Sequence, residues 1–324
     1  MPLLRRRFLQ LAAGAAVLAP WSRPAAALDY PTRPVRLIVG FPAGSATDII
    51  ARLVGQALSD RLGQQVIVDN RPGAASNLGT EAVVRAAPDG YTLLAMTVTN
   101  AVNETLYKDH LSFDFARDIA PVAGTMRTSG VMEINPAVPA KTVPEFIAYA
   151  KANPGKINYA SFGTGTAPNM AAELFKMMAG VDLVNVAYRD SYMPDLLSNQ
   201  VQLAFTPIPL TIANIRAGKL LPLGITGTTP SAALPGIPPI ATFVPGYEAT
   251  VWHGVAAPKD TPADIVSRLN TAINAVLAEP AIKAKFADLG AEPMPMTPAE
   301  AATFVADQIE KWGRVVRFAD MKPA

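Results

Sequence analysis

The sequence predicts an α/β fold built on parallel sheets, and three observations carry that expectation. The apolar run Leu37-Ile38-Val39 lacks the alternation of a half-exposed strand and reads as a buried parallel one. Gly40 and Pro42 break the run, and helical spacing follows at Ile49, Ile50, Leu53, Val54, Ala57, Leu58 and Leu62. Strand-like and helix-like segments then alternate along the chain, as parallel sheets with crossover helices require.

The predicted strands are 35–39, 65–68, 92–96, 131–134, 157–159, 183–186, 203–205 and 221–225. Three helices announce their starts by a threonine three residues before an acid: Thr142 with Glu145, Thr261 with Asp264 and Thr297 with Glu300. Pro262 and Pro298 occupy first helical positions, where the missing N–H costs nothing. The helix after Thr261 places Ile265, Leu269, Ile273, Val276 and Leu277 on one face. The final helix does the same with Phe304, Val305, Ile309 and Trp312. Between them and the middle of the chain lies a proline- and glycine-rich connection, 229–246. Two α/β lobes of ~100–200 residues each fit the length.

The first 27 residues are a targeting segment, outside the fold. Arg5-Arg6-Arg7-Phe8-Leu9 precedes the apolar run 11–18, and Ala25-Ala26-Ala27 offers a cleavage site after Ala27. The paired arginines followed by Phe-Leu fit the twin-arginine export pattern, and the apolar run is too short to span a bilayer. A periplasmic location is therefore expected. Removing the segment's four arginines takes the formal charge from +2 to −2, so no basic patch for nucleic acid remains. With no cysteine and only His110 and His253, a Cys/His metal site is excluded and no disulfide framework exists. His110 sits among charged and loop residues and reads as surface. His253 follows Trp252 in an apolar run and reads as a structural histidine with a satisfied partner. The methionines are spaced as core filler.

The first strand–turn–helix also carries chemistry. A helix begun this way leaves its first amide N–H groups unpaired and adds the positive end of its dipole, so it binds anions without a basic side chain. Ser45 and Asp48 have capping-box spacing, and Gly44 to Ala46 are expected still to present amides. Gly163, Gly165 and Thr166 before the Met170 helix, with Pro168 in its first turn, form a second such cradle. The side-chain amides of Asn100 and Asn169 are suited to gripping a carboxylate oxygen.

The chain resembles the tripartite tricarboxylate transporter substrate-binding receptors, also called Bug (Bordetella uptake gene) proteins. The resemblance rests on Tyr30-Pro31-Thr32-Arg33-Pro34-Val35, Phe41-Pro42-Ala43-Gly44, Asn70-Arg71-Pro72-Gly73-Ala74, Ala87-Pro88-Asp89-Gly90-Tyr91, Asn158-Tyr159-Ala160-Ser161, Gly163-Thr164-Gly165-Thr166 and Glu173-Leu174-Phe175. It implies a two-lobed periplasmic-binding-protein (Venus flytrap) architecture with a mainly parallel sheet in each lobe. Residues 28–128 plus 250–324 would form lobe 1, and 129–249 lobe 2, with crossings near Thr128 and Thr250. The implied function is to bind a small carboxylate between the lobes and deliver it to a membrane permease. The protein would act as a monomer, without cofactor, metal or nucleic acid.

The family's ligand loops map onto four strand ends, where ligands of open α/β sheets bind. They contribute Phe41, Ala43, Gly44, Ser45 and Ala46; Thr97, Thr99 and Asn100; Ser161, Gly163, Thr164, Gly165, Thr166 and Asn169; and Tyr188, Asp190 and Ser191. Arg189 is a second-tier candidate. Two positions depart from the family pattern: Gly44-Ser45 stands for Gly-Gly, and Asp190 stands for a small residue. A carboxylate at 190 would repel a second ligand carboxylate or pair with a ligand amine or hydroxyl. A sensor-associated binding protein without a transporter is an alternative. So is an exported dinucleotide-dependent oxidoreductase, supported by Asp69 at the end of the second strand. Against it, Gly40-Phe41-Pro42-Ala43-Gly44 is not G-x-G-x-x-G, and no G-x-S-x-G elbow is present for a serine hydrolase.

Overall fold

A computed structural model describes residues 30–323; the targeting segment and its cleavage point lie outside the described residues. In chain order the first elements are β1 (Val35–Val39), α1 (Ala46–Leu62), β2 (Val66–Asn70), α2 (Asn77–Val84), β3 (Thr92–Thr97), α3 (Val98–Leu106), α4 (Phe115–Asp118) and β4 (Ile119–Thr128). Then come β5 (Gly130–Ile134), α5 (Val143–Ala152), β6 (Asn158–Ser161), α6 (Ala167–Ala179), β7 (Val184–Ala187), α7 (Met193–Leu197), β8 (Leu203–Pro207), α8 (Ile208–Arg216) and β9 (Leu221–Ile225). The chain closes with β10 (Val251–Pro258), α9 (Ala263–Ala278), α10 (Pro280–Asp288), β11 (Ala291–Pro293) and α11 (Pro298–Phe318).

The strands form two sheets, six-stranded in the order β11-β4-β10-β3-β1-β2 and five-stranded in the order β7-β6-β8-β5-β9. Ser129 alone separates β4 of the first from β5 of the second, and the chain returns between β9 and β10. Pairing is parallel where β1 meets β2 and β3, and where β6 meets β7 and β8. The exceptions are β5 and β10, each antiparallel to both of its neighbours, and the short edge strand β11. Both β5 and β10 are the first strands laid down after a passage between sheets, so each inserts into its sheet against the prevailing direction.

All eight predicted strands are present to within two residues or so at their ends. The sequence reading omitted β4 and β11 and saw β10 only as a strand-like run. Pro121 and Gly124 interrupt the β4 pattern, and its pairing with β10 carries two register shifts. Of the three predicted caps, Thr142 accepts from Glu145 N at 3.3 Å, and Thr297 forms a full capping box with Glu300. The Thr261 expectation is corrected: its hydroxyl donates to the Pro258 carbonyl at 2.7 Å, and the N-cap position falls on Pro262.

One apolar core runs from sheet to sheet, including Ile38 and Leu94 on one side, Phe175 and Phe205 on the other, and Trp252 and Trp312. Phe175 meets the rings of Phe146, Phe205 and Tyr247 at 6.2, 6.0 and 6.1 Å. Helix α11 packs on α3 and β4 of the first sheet and on α6 of the second. Gln308 fixes it there, its Oε1 accepting from the indole N–H groups of both Trp252 and Trp312 at 3.0 and 2.9 Å. No described helix is long and apolar enough to cross a membrane.

Candidate functional site

The two sheets present the carboxyl ends of β1, β3 and β6 to a shared cavity of about 170 Å³. First-turn residues of three helices line it: Ala46 and Thr47 of α1, Val98 and Thr99 of α3, and Ala167 of α6. Phe41, Thr97, Val102, Gly165, Thr166, Met170, Ala249, Thr250, Val251, His253 and Trp312 complete the wall. Three helix N-termini around one small volume sum their partial positive charges in the same place, although the α3 end is capped, with Thr99 N donating to Thr97 Oγ1 at 3.1 Å. Of the described residues lining the cavity, none is Asp, Glu, Lys or Arg. Its polarity comes from backbone, threonine hydroxyls and one imidazole.

The α1 turn is held from below by a buried carboxylate. Asp48, 2% exposed, accepts from Gly44 N at 2.9 Å, Arg52 Nε at 3.0 Å and Asn70 Nδ2 at 2.9 Å. The hydrogen bond from Arg52 is the largest influence on it and holds its carboxyl at about 2, so it stays ionised. Asn70 also donates to the Phe41 carbonyl at 3.0 Å, which ties β2 to the loop. Ser45 caps the helix through Asp48 N at 3.3 Å, as its spacing predicts. The expected amide cradle is smaller than the sequence suggested, however. Gly44 N is spent on Asp48 and Ser45 N on the Pro42 carbonyl, leaving Ala46 and Thr47, which have no acceptor within the helix. Ala43 and Gly44 are exposed and stand outside the cavity wall.

Asn100 and Asn169 each commit their oxygen and one amide hydrogen to the surrounding protein, which positions the loops. Asn100 accepts from Thr97 N at 2.8 Å and donates to Thr80 Oγ1 at 2.9 Å, closing the capping box of α3. Asn169 accepts from Gly165 N at 3.0 Å and donates to Tyr159 OH at 2.8 Å, and Tyr159 donates in turn to Glu173 at 2.7 Å. Ser161 is fully buried, with its hydroxyl on Asn185 at 2.7 Å and accepting from Gly163 N at 3.1 Å. These groups shape the loops that the wall is made from. Thr166 turns its hydroxyl back to the Gly163 carbonyl at 2.7 Å instead of capping α6, which leaves that helix end open toward the cavity.

The fourth loop lies apart. Tyr188 donates to Asp195 at 2.8 Å, Arg189, Asp190 and Ser191 are exposed, and none of them lines the cavity. Gly163 and Thr164 likewise do not line the cavity, although Gly165 and Thr166 do. Thr47 closes the first predicted loop, whereas sequence reasoning missed Val102, Met170, Ala249, Thr250, Val251, His253 and Trp312. The last five come from the return crossing, β10 and α11, far along the chain from any loop motif.

His253 departs from its expectation in one atom. The ring is 6% exposed, and Nε2 lies 3.2 Å from Thr47 Oγ1, but buried Nδ1 has no hydrogen-bond partner. Burial pushes its pKa down to about 4, so the ring is neutral. His110 is exposed, as expected. Among the described residues no cluster of His, Cys, Asp and Glu is arranged to hold a metal ion.

Residues 50–321 match the tripartite tricarboxylate transporter family receptor, TctC. Among solved structures, Rpa4515 of R. palustris with adipate is 33% identical, covering 91% of this chain and 100% of that one, with a TM-score of 0.73. The periplasmic binding protein BugD is 30% identical over 90% and 99% of the two chains, TM-score 0.69. MatC of Rhodopseudomonas palustris, with bound malate, is 28% identical over 89% and 100%, TM-score 0.69. Members of this family are solute-binding receptors and not enzymes, and at these TM-scores the three structures share the fold described above. The chain belongs to the tripartite tricarboxylate transporter receptor family, TctC.

Proposed function

We propose that this receptor binds a small dicarboxylate in the cavity between its two sheets and presents it to the membrane permease of a tripartite-type transporter. The observation that carries the reading is the convergence of three helix N-termini on a wall without charged side chains. Such a wall stabilises a carboxylate through amides and dipoles and leaves its chain against Val102, Met170 and Trp312. The adipate and malate held by relatives are acids of this kind. Residues 28–128 with 250–324 act as one lobe and 129–249 as the other, the ligand's contacts with both driving closure. A leader cleaved after Ala27 delivers the receptor, as a monomer, to the periplasm.

The test is a thermal-shift screen of residues 28–324 against aliphatic and aromatic carboxylates, amino acids and NAD(P). A ligand at about 100 times its Kd adds ~2.7 kcal/mol, which raises the midpoint by several degrees. A shift confined to dicarboxylates is expected. A shift with a dinucleotide alone would overturn the reading.

A further inference from the structure

Resting on that reading, we propose that Tyr159 is a positioning residue for ligand binding, its hydroxyl acting through Asn169 to fix the Gly165 turn in the cavity wall. Gly163 and Gly165 have φ of +100° and +77°, so the turn before α6 is built from the residue type with the most backbone freedom. Its own backbone contributes a long bond, from Thr166 N to the Gly163 carbonyl at 3.3 Å. The tighter restraint at Gly165 is the 3.0 Å bond from its N–H to Asn169 Oδ1.

That bond fixes the direction of every bond behind it. A backbone N–H can only donate, so the Asn169 oxygen faces Gly165 and its amide nitrogen faces Tyr159. Nδ2 donates to the phenol at 2.8 Å, which leaves the phenol proton for Glu173, whose Oε1 accepts it at 2.7 Å. Burial, and then the Glu173 carboxylate, push the pKa of Tyr159 up, so the phenol keeps that proton. Lys176 closes the series on the same oxygen at 3.0 Å and supplies the countercharge. Tyr159 itself is fully buried on β6, paired with Asn185 of β7 on one side and Leu203 of β8 on the other. The series therefore carries the rigidity of an interior strand to a glycine turn that faces the ligand. It also gives a role to the tyrosine and the glutamate of two sequence motifs, which stand behind a wall that neither of them lines.

The test is a double-mutant cycle read as affinity. Wild-type receptor, Tyr159→Phe, Asn169→Ala and the double variant would be titrated calorimetrically with adipate and malate, with folding checked by thermal unfolding. Tyr159→Phe is expected to weaken binding about fivefold, and the double variant to bind no more weakly than Asn169→Ala alone, because groups in one network couple. Independent effects that multiply would overturn the proposal, as would unchanged affinity in Tyr159→Phe. Phe146→Leu, on α5 in the same core, separates positioning from stability. It should lower the unfolding midpoint without weakening binding; an equal loss of affinity would assign the Tyr159 effect to stability alone and sink the proposal. Amide hydrogen exchange at Gly165, followed by NMR without ligand, should quicken in Tyr159→Phe. Exchange at the wild-type rate would overturn the coupling whatever the titrations show. A wild-type protein that binds neither acid sinks the carboxylate reading, and the exchange rate then still decides whether Tyr159 holds the turn.

Discussion

Glu133 shows how a single side chain can set a pH dependence that no motif announces. It is fully buried on β5 and accepts from Thr206 at 2.6 Å and Thr211 at 2.5 Å. Burial pushes its carboxyl up from 4.5 to about 7, the two hydroxyls limiting the rise. Between those values the folded protein holds a proton that the unfolded chain releases, so stability is full below the lower value and falls as pH rises through the upper. The effect is on the order of 3 kcal/mol. Urea unfolding at about pH 5 and about pH 8 should show the loss, and Glu133→Gln should flatten it. Asp48 acts oppositely and elsewhere: its contribution fades only as pH falls toward about 2. At this scale the sequence reading of Ser45 as a cap held. Asn100 and Asn169 each engage their oxygen and one amide hydrogen within the protein, because an amide's partners are decided by whichever groups the fold brings within 3 Å.

Helix ends are the elements that make the site, and the turn before α6 is the most constrained of them. Gly165 has φ +77°, and an added Cβ would stand 3.1 Å from Leu106 Cδ2 on α3, across the cavity's edge. Gly165→Ala should therefore cost about 1–2 kcal/mol from backbone strain alone. It should also displace the open end of α6, so a weaker ligand titration is expected alongside the lower urea midpoint. Unchanged affinity would detach this helix end from the site. Strands and most helices were legible because burial on both faces and helical spacing leave periodic traces. The β4 strand escaped because proline, glycine and register shifts erase such a trace.

Across the whole molecule, α11 and the return crossing tie the two sheets together. Lys311 of α11 forms an ion pair with Glu248 in the segment before β10 and donates to its carbonyl at 3.1 Å. Burial opposes ionisation of Glu248, but Lys311 and Thr250 outweigh it and hold the carboxyl below its usual range. Lys311→Met should destabilise the protein by about 1–3 kcal/mol, read from thermal unfolding, because a partly buried carboxylate loses its partner. It should also alter ligand affinity, since Ala249 and Thr250 beside Glu248 line the cavity. A stability loss with unaltered affinity would make this pair a brace only.

By itself the sequence determined the α/β class, the helix ends that gather amides, and the family. Those features are local: periodicity, capping spacing and short motifs act within a turn or two of chain. The tertiary structure alone decided that the cavity is walled by α1, α3, α6, β10 and α11, and that His253 meets Thr47 across 206 positions of sequence. It also decided that the loop at Tyr188 stands outside that wall. Which groups share a buried volume depends on strand order and on the two antiparallel insertions at β5 and β10, and these arise from long-range pairing that leaves no local mark.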